Sequence, residues 1–406
     1  MHAIHRVGRS GAHAARANGA EAGLMEITEV MAERGHEQVV LVADATTDLR
    51  AIIAIHSTAL GPSLGGIRFW RYASETDALT DVLRLSEAMS LKAAACGLHQ
   101  GGGKAVVRWS DPHRARTAEQ LTVLGRAIHE LGGRYIAAED VGATTADMDG
   151  IAAVTPWVTG VSESLGGSGD PSPVTAVGVH AAMRAAARER WGAPELAGRH
   201  VVIQGAGKVG SGLARLLVAD GVRVSIGDVD AGRVGALVAE LGVDAVPVAD
   251  VLSMPADVVA PCALGGVLTR ASVDVLACEI VCGGANNQLA TVEVDDALAA
   301  RGVLYAPDFV ANAGGILNIA EEFVGYSRDR ALDAARGIEA TMTRLFAAAR
   351  EWGVAPGRAA DRIARERIAH EPFGRGRWQP GDPTAWTGDA PLRTLRPPAQ
   401  TSVATT

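Results

Sequence analysis

No stretch of this chain reaches the roughly 18 consecutive apolar residues of a membrane helix, because Gly, Asp or Arg interrupts each candidate within a strand's length. Positive charge is not in excess either: 38 Lys and Arg stand against 46 Asp and Glu, a net charge of -8. That balance argues against a protein that grips nucleic-acid phosphates regardless of sequence, which needs clustered cations. Cysteine is scarce, at Cys96, Cys262, Cys278 and Cys282, with no C-x-x-C pair and no His cluster at zinc-finger spacing. The expectation is four free thiols in a reducing cytoplasm and no metal site. Residues 1–23 carry Arg, His and Ala but no apolar core of a secretory signal. They are expected to form a disordered extension, an acid-poor transit peptide being the alternative.

Lysine is scarcest of all the charged residues. It occurs only at 92, 104 and 208, so 35 of the 38 basic residues are arginine. Ordinary positive charge is therefore carried by arginine, and a surviving lysine marks a position where arginine cannot serve. Arginine keeps its proton at any working pH, whereas a buried lysine can release one.

What is present suits a globular enzyme: 406 residues, 48% hydrophobic and 21% charged, enough for two domains with a core each. Between Glu37 and His56 the segments QVVLVAD and AIIAIHS read as two β-branched strands across a polar turn at TTD. A glycine-rich loop is predicted at 60–66. Ser74-Glu75-Thr76-Asp77 then caps a helix whose Leu79, Val82, Leu83, Ser86 and Met89 recur at helical spacing. Gly101-Gly102-Gly103 is expected to break that pattern before a short strand at AVV. A helix over 118–131 leads to RYIAAEDVG, a strand ending in acids. The Gly/Ser/Pro-dense segment 164–173 reads as a domain boundary. After it, a helix over 174–190 opens an alternation of strands and helices to about Asn318, the signature of a parallel sheet with crossover helices. One long helix over 332–352 and another over 358–369 follow, and the tail 372–406, with many Pro, Gly and Thr residues, is expected to be disordered.

The stretch HVVIQGAGKVGSGLARLLVADGVRVSIGDVD holds the dinucleotide fingerprint in order. Strand VVIQ precedes the turn Gly205-Ala206-Gly207-Lys208-Val209-Gly210, and a helix and a second strand ending in an acid follow. The glycines permit a tight turn and set a pyrophosphate on the helix N-terminus. Asp228, 18 residues after Gly210, would accept from the adenosine ribose hydroxyl and repel a 2′-phosphate. No Arg immediately follows it, so NAD is expected over NADP. Lys208 is a candidate phosphate contact, with a solvated lysine as the plainer reading.

In the N-terminal half, Lys92 ends a helix and Lys104 follows the triple glycine, twelve residues on. Two lysines converging on a glycine-lined pocket would depress each other's pKa by repulsion, and burial would add to that. One ammonium would then bind an anion while one amine stood ready for proton transfer.

The stretches GPSLGGIRFWRYASETDALTDVLRLSEAMSLKAAACGLHQGGGKAVV, AAEDVGATTADMD, GDPSPVTAVGV, APCALGGVL, GGANNQLA and YAPDFVANAGGILN, read together, resemble the leucine/phenylalanine/valine dehydrogenase family of the glutamate dehydrogenase superfamily. The likeness is ordered and runs roughly from 51 to 318. It implies an α/β fold with a Rossmann-type NAD-binding domain at 164–327. A substrate, catalytic and oligomerisation domain with a mixed sheet would take 24–163 plus the helices of 328–371, with a cleft between the two domains. It implies that Lys92 holds the substrate α-carboxylate, that Lys104 activates water and stabilises the carbinolamine, and that Asp140 shuttles protons to and from the amino group. Asn287 would orient substrate and nicotinamide, while Thr175 and Cys262 would lie at the cofactor. Leu64, Gly65, Gly66, Ile316 and Ile319 would form the substrate site. A small-molecule amino acid is the implied partner, and the chain is expected to be a homo-oligomer.

The glutamate enzymes read the side-chain carboxylate with a lysine in their PxKGG segment. Leu64 occupies that position here and no spare lysine exists, so an aliphatic amino acid is expected over glutamate. A phenylalanine or tryptophan enzyme is the nearer alternative, and a catalytically silent binding homologue the more distant one. Ala143 stands where the family commonly has Thr, without touching Lys92, Lys104 or Asp140.

Overall fold

The structure, a computed structural model, describes residues 27–111 and 114–370. The expected disordered ends, 1–23 and 372–406, lie outside the described residues.

The β-branched segments pair as an antiparallel hairpin, β1 (Gln38–Asp44) and β2 (Leu49–Ser57). Asp44 closes the turn, its Oδ1 accepting from the amide and the hydroxyl of Thr47, each at 2.8 Å. With β3 (Ser63–Trp70), β4 (Gly101–Arg108) and β5 (Tyr135–Glu139) the hairpin forms a mixed sheet of order β1-β2-β4-β3-β5. There β2 runs antiparallel to β4, while β3 is parallel to both β4 and β5.

The structure departs from expectation in two places here. The predicted loop at 60–66 enters β3 at Ser63, and the triple glycine begins β4 instead of ending a pattern. Close packing is the reason. A Cβ on Gly102 would lie 2.1 Å from the amide nitrogen of Ser90, in the helix that covers the sheet, so only glycine lets that helix approach. The helix spans Glu75–Ala95 and is capped as predicted, Ser74 Oγ accepting from the Asp77 amide at 3.0 Å, a contact typically worth about 1 kcal/mol. Its Val82, Leu83 and Ser86 are buried against the sheet, and Lys92 lies in its last turn.

The second sheet is wholly parallel. Its strands β6 (His200–Gln204), β7 (Arg223–Gly227), β8 (Asp244–Ala245), β9 (Val258–Pro261), β10 (Ile280–Val281) and β11 (Leu304–Tyr305) lie in the order β11-β10-β9-β6-β7-β8. Chain direction across the sheet reverses at β6, and the crevice outside its carboxyl end is where such sheets bind ligands. Val201, Ile203, Leu213, Leu217 and Ile226 join one large apolar core with the alanine-rich side of the Ser172–Trp191 helix.

The single helix predicted over 332–352 is two, Arg328–Arg336 and Ile338–Trp352, divided at Gly337. Glycine is a poor helix former, and the two pieces serve different contacts. Ala331 and Ala335 pack with Val174, whereas Ile338, Met342, Leu345 and Phe346 enter the large core. The last helix, Pro356–His370, returns to the Glu75–Ala95 helix that covers the first sheet, where Arg367 Nη1 donates to the Ala94 carbonyl at 2.9 Å and Arg365 pairs with Glu87 at 2.9 Å. Among the described residues no helix is long and apolar enough to cross a membrane.

Candidate active site

The two sheets face each other across a cavity of about 370 Å³. Lys92, Lys104 and Asp140 line it, together with Thr175 from the Ser172–Trp191 helix and Val209 from the glycine turn after β6. Residues far apart in sequence therefore share one chamber.

Lys104, on β4, is only 4% exposed, and its Nζ lies 3.0 Å from Oδ2 of Asp140, the residue after β5. The same oxygen accepts from Arg68 Nε at 2.9 Å. Burial alone would push the Asp140 carboxyl up, but the Lys104 and Arg68 cations reverse this and hold it at about 2. Burial also lowers the Lys104 pKa, with Asp140 opposing and Arg68 adding to the fall. At Lys92 burial again leads, Asp308 opposes it, and Lys104 contributes a lesser part. Desolvation thus outweighs the mutual repulsion that sequence spacing predicted.

Lys92 Nζ donates to Asn312 Oδ1 at 2.8 Å and to Asn286 Oδ1 at 3.1 Å. Asn312 Nδ2 in turn donates to Asn286 Oδ1 at 2.9 Å. An ammonium has three donors, so two fixed by neutral oxygens leave one for an anion in the cavity. Asp308 steadies the same loop, its Oδ2 accepting from the Gln288 amide at 2.8 Å, and burial raises its pKa. Between them Asn287 sits at φ 51°, in the left-handed region that asparagine tolerates better than most residues. It too lines the cavity.

Gly66, Met89, Ile316 and Ile319 contribute to the wall. Leu64 is fully buried behind it, in the same apolar cluster as Ile316, and Gly65 packs against the Gly103 carbonyl, so these two residues are placed off the cavity surface.

The nucleotide turn has the shape that its glycines imply. Gly205 has φ +104°, and its amide donates to the Gly227 carbonyl at 2.7 Å. A Cβ on Gly210 would lie 2.0 Å from the Gly205 oxygen, so the turn closes only with glycine there. Gly207 begins the Lys208–Ala219 helix with no side chain over its first amides, which suits an anion. Asp228, just past β7, accepts from the Ala206 amide at 2.6 Å and the Asp230 amide at 2.8 Å. Lys208 is exposed and pairs with Asp170 at 3.1 Å. Cys262 lies beneath the turn, its Sγ accepting from the Gly284 amide at 3.3 Å, and burial pushes its thiol up to about 11. These residues form a cradle that fits a dinucleotide.

Sequence reasoning missed Arg68, Asn286, Asn312 and Asp308. A signal existed for the asparagines: the chain has five, and four of them (Asn286, Asn287, Asn312 and Asn318) fall within 33 residues.

A dinucleotide turn opening onto a buried lysine–aspartate pair defines an NAD(P)-dependent dehydrogenase. The chain belongs to the glutamate/leucine/phenylalanine/valine dehydrogenase family and is an oxidoreductase acting on a CH–NH2 group. Residues 36–156 match "Glu/Leu/Phe/Val dehydrogenase, dimerisation domain", and 166–246 and 230–371 match "Glutamate/Leucine/Phenylalanine/Valine dehydrogenase". The valine dehydrogenase of Streptomyces coelicolor is 47% identical over 356 residues, 87% of this chain and 97% of that protein. The leucine dehydrogenase of Thermoactinomyces intermedius is 43% identical over 344 residues, 85% and 94% of the two chains. The crystal structure of L-tryptophan dehydrogenase from Nostoc punctiforme is 37% identical with a TM-score of 0.74, covering 84% of this chain and 98% of that one.

Proposed function

We propose that this chain catalyses the reversible NAD-dependent oxidative deamination of an aliphatic L-amino acid, with valine, leucine or isoleucine as substrate. The observation that carries this is the Lys104–Asp140 pair in one cavity with Lys92 and the nucleotide turn.

In this reading the free N–H of Lys92 takes the α-carboxylate. The 205–210 turn with Asp228 would hold the dinucleotide, which would supply the hydride acceptor for Cα, and Thr175 and Asn287 would position its nicotinamide end against the substrate. Asp140 accepts a proton from the substrate amino group. It can do so only once Lys104 is neutral, because two cations hold its carboxyl at about 2. Lys104, made a weaker acid-holder by burial, then withdraws a proton from the water that adds to Cα. Asp140 returns its proton to the nitrogen, and as the C–N bond breaks it takes the hydroxyl proton, so that ammonia leaves and the 2-oxo acid remains.

Several features support the finer choices. Arg68 is committed to two carboxylates, so the cavity has no spare cation for a side-chain carboxylate, while Met89, Ile316 and Ile319 present apolar surface. Burial pushes the Asp228 carboxyl up, but the Asp230 and Ala206 amides more than offset this, and an anion there favours NAD over NADP. The proposed division is a catalytic domain of 24–163 with the helices of 328–371, and a nucleotide domain of 164–327. Its dimerisation-domain match supports a homo-oligomer, and four free cysteines suit a reducing cytoplasm.

The test is NADH formation across the twenty amino acids, with NADP in parallel. Turnover of valine, leucine and isoleucine ahead of phenylalanine and tryptophan is expected. Absence of turnover on any branched or aromatic amino acid would sink the proposal.

A further inference from the structure

Arg68 divides its guanidinium between two carboxylates. Nε donates to Asp140 Oδ2 at 2.9 Å, and Nη1 donates to Asp81 Oδ2 at 3.1 Å. Asp81 is itself held, by the Tyr72 hydroxyl at 2.8 Å on Oδ2 and by Arg84 Nη2 at 2.8 Å on Oδ1. A continuous chain of charges thus runs from Lys104 through Asp140, Arg68 and Asp81 to Arg84, from a 6% exposed lysine side chain to a 45% exposed arginine. Two strands, the residue after β5 and the covering helix all contribute to it.

We propose that Arg68 is a positioning residue of the deamination centre, anchoring Asp140 as the anion and favouring release of the Lys104 proton, and that Asp81 is the counter-charge that limits this effect. The proposal rests on the proton-transfer roles given above to Lys104 and Asp140.

The sign of each effect follows from fixed charges. A guanidinium does not titrate in the working range, so Arg68 permanently favours an anionic Asp140 and a neutral Lys104. Asp81 acts oppositely on Lys104. The other charged groups around the pair are Lys92, on the same helix as Asp81, and Glu139, whose carboxylate accepts from the Thr145 hydroxyl at 3.0 Å. Asp308 faces Lys92 from the opposite wall.

The experiment is the pH dependence of kcat/KM for valine deamination in the full-length wild type, Arg68→Gln, Arg68→Lys and Asp81→Asn, with NADH binding and thermal melting as checks of folding. Deamination requires a neutral Lys104, so its acidic limb reports that pKa. In Arg68→Gln the limb should move up by about one pH unit, the usual size of one adjacent charge. In Asp81→Asn it should move down. Arg68→Lys should keep the wild-type limb at reduced kcat, because the charge remains and the fork is lost. Should Arg68→Gln fail to fold, the downward shift of Asp81→Asn still decides the matter. Limbs that coincide in all folded variants, or that shift in one common direction, overturn the role of Arg68 and Asp81. A wild type that turns over no amino acid overturns instead the function on which the role rests.

Discussion

Replacing Lys104 with arginine keeps the charge at the centre and removes only the capacity to lose it. Lys104 is 4% exposed and 3.0 Å from Asp140 Oδ2, so an arginine there can retain an ion pair while holding its proton at every working pH. A positioned acid–base group contributes about 10²- to 10⁴-fold to rate. The expected fall in kcat is therefore about 10³-fold, or roughly 4 kcal/mol of barrier. Binding should suffer less, because Lys92 still holds the carboxylate and the 205–210 turn is untouched. Bulk is the competing explanation, since Gly103 beside it has no room for even a Cβ, which would meet the Tyr135 ring at 2.6 Å. Lys104→Met, close to lysine in length, separates the two. It leaves Asp140 still bonded to Arg68 at 2.9 Å, so the destabilisation should be about 1–3 kcal/mol rather than the 3–5 kcal/mol or so of a fully orphaned buried charge. Its kcat should fall as far as that of Lys104→Arg. Steady-state NADH formation between pH 7 and 11, with thermal melts, measures both. If Lys104→Arg keeps more than a tenth of the wild-type kcat, a fixed cation suffices and the proton-transfer role is wrong.

Further outcomes follow from burial and packing elsewhere. Burial lowers the His36 imidazole from 6.5 to about 4 and raises the Asp295 carboxyl from 3.8 to about 6. The unfolded chain thus binds the extra proton at His36 between those values, so that contribution to stability is lost as pH falls from 6.5; at Asp295 the folded chain binds it, so stability is gained as pH falls through 6. At about 1.4 kcal/mol per unit each amounts to about 3 kcal/mol, so His36→Gln and Asp295→Asn should tilt the Tm–pH curve in opposite directions, and parallel curves would contradict the assignment. Gly102→Ala places a Cβ 2.1 Å from the Ser90 nitrogen and should cost about 3 kcal/mol or more. Because Ser90 lies two residues before Lys92, the KM for amino acid should rise as well, and a wild-type melt and KM would refute the packing argument. Asp228→Ala should weaken NADH binding about tenfold (one lost charge-assisted hydrogen bond) and narrow the preference over NADPH. A change in side-chain preference instead would contradict the placement of the cofactor.

Local pattern made much of the fold legible. The hairpin, the capped helix at Glu75–Ala95 and the strand–turn–helix at β6 rest on contacts within a few residues, and each lies where its periodicity or glycine spacing put it. The triple glycine misled because the same residues that break a helix also permit close approach in a sheet. Only the packing of Ser90 on Gly102, twelve residues away in sequence, distinguishes the two meanings. Gly337 shows the reverse ambiguity. A helical pattern of apolar residues continues through it, and the division appears only because the two halves have different partners.

The candidate site was legible in proportion to the rarity of its residue types. Two of three lysines face the cavity, so a lysine there stands out; Arg68 is one of 35 arginines and has no such contrast. Its importance comes from register. Ile67 pairs with Glu139 on β5 and Arg68 with Val106 on β4. Alternation along parallel strands then puts Arg68, Asp140 and Lys104, two residues before Val106, on one face. A slip of β3 by one residue against both neighbours would turn Arg68 to the opposite face and leave Asp140 with Lys104 as its only cation. The charge balance of the centre therefore depends on strand register, which arises between segments about 35 to 70 residues apart and which no short motif encodes.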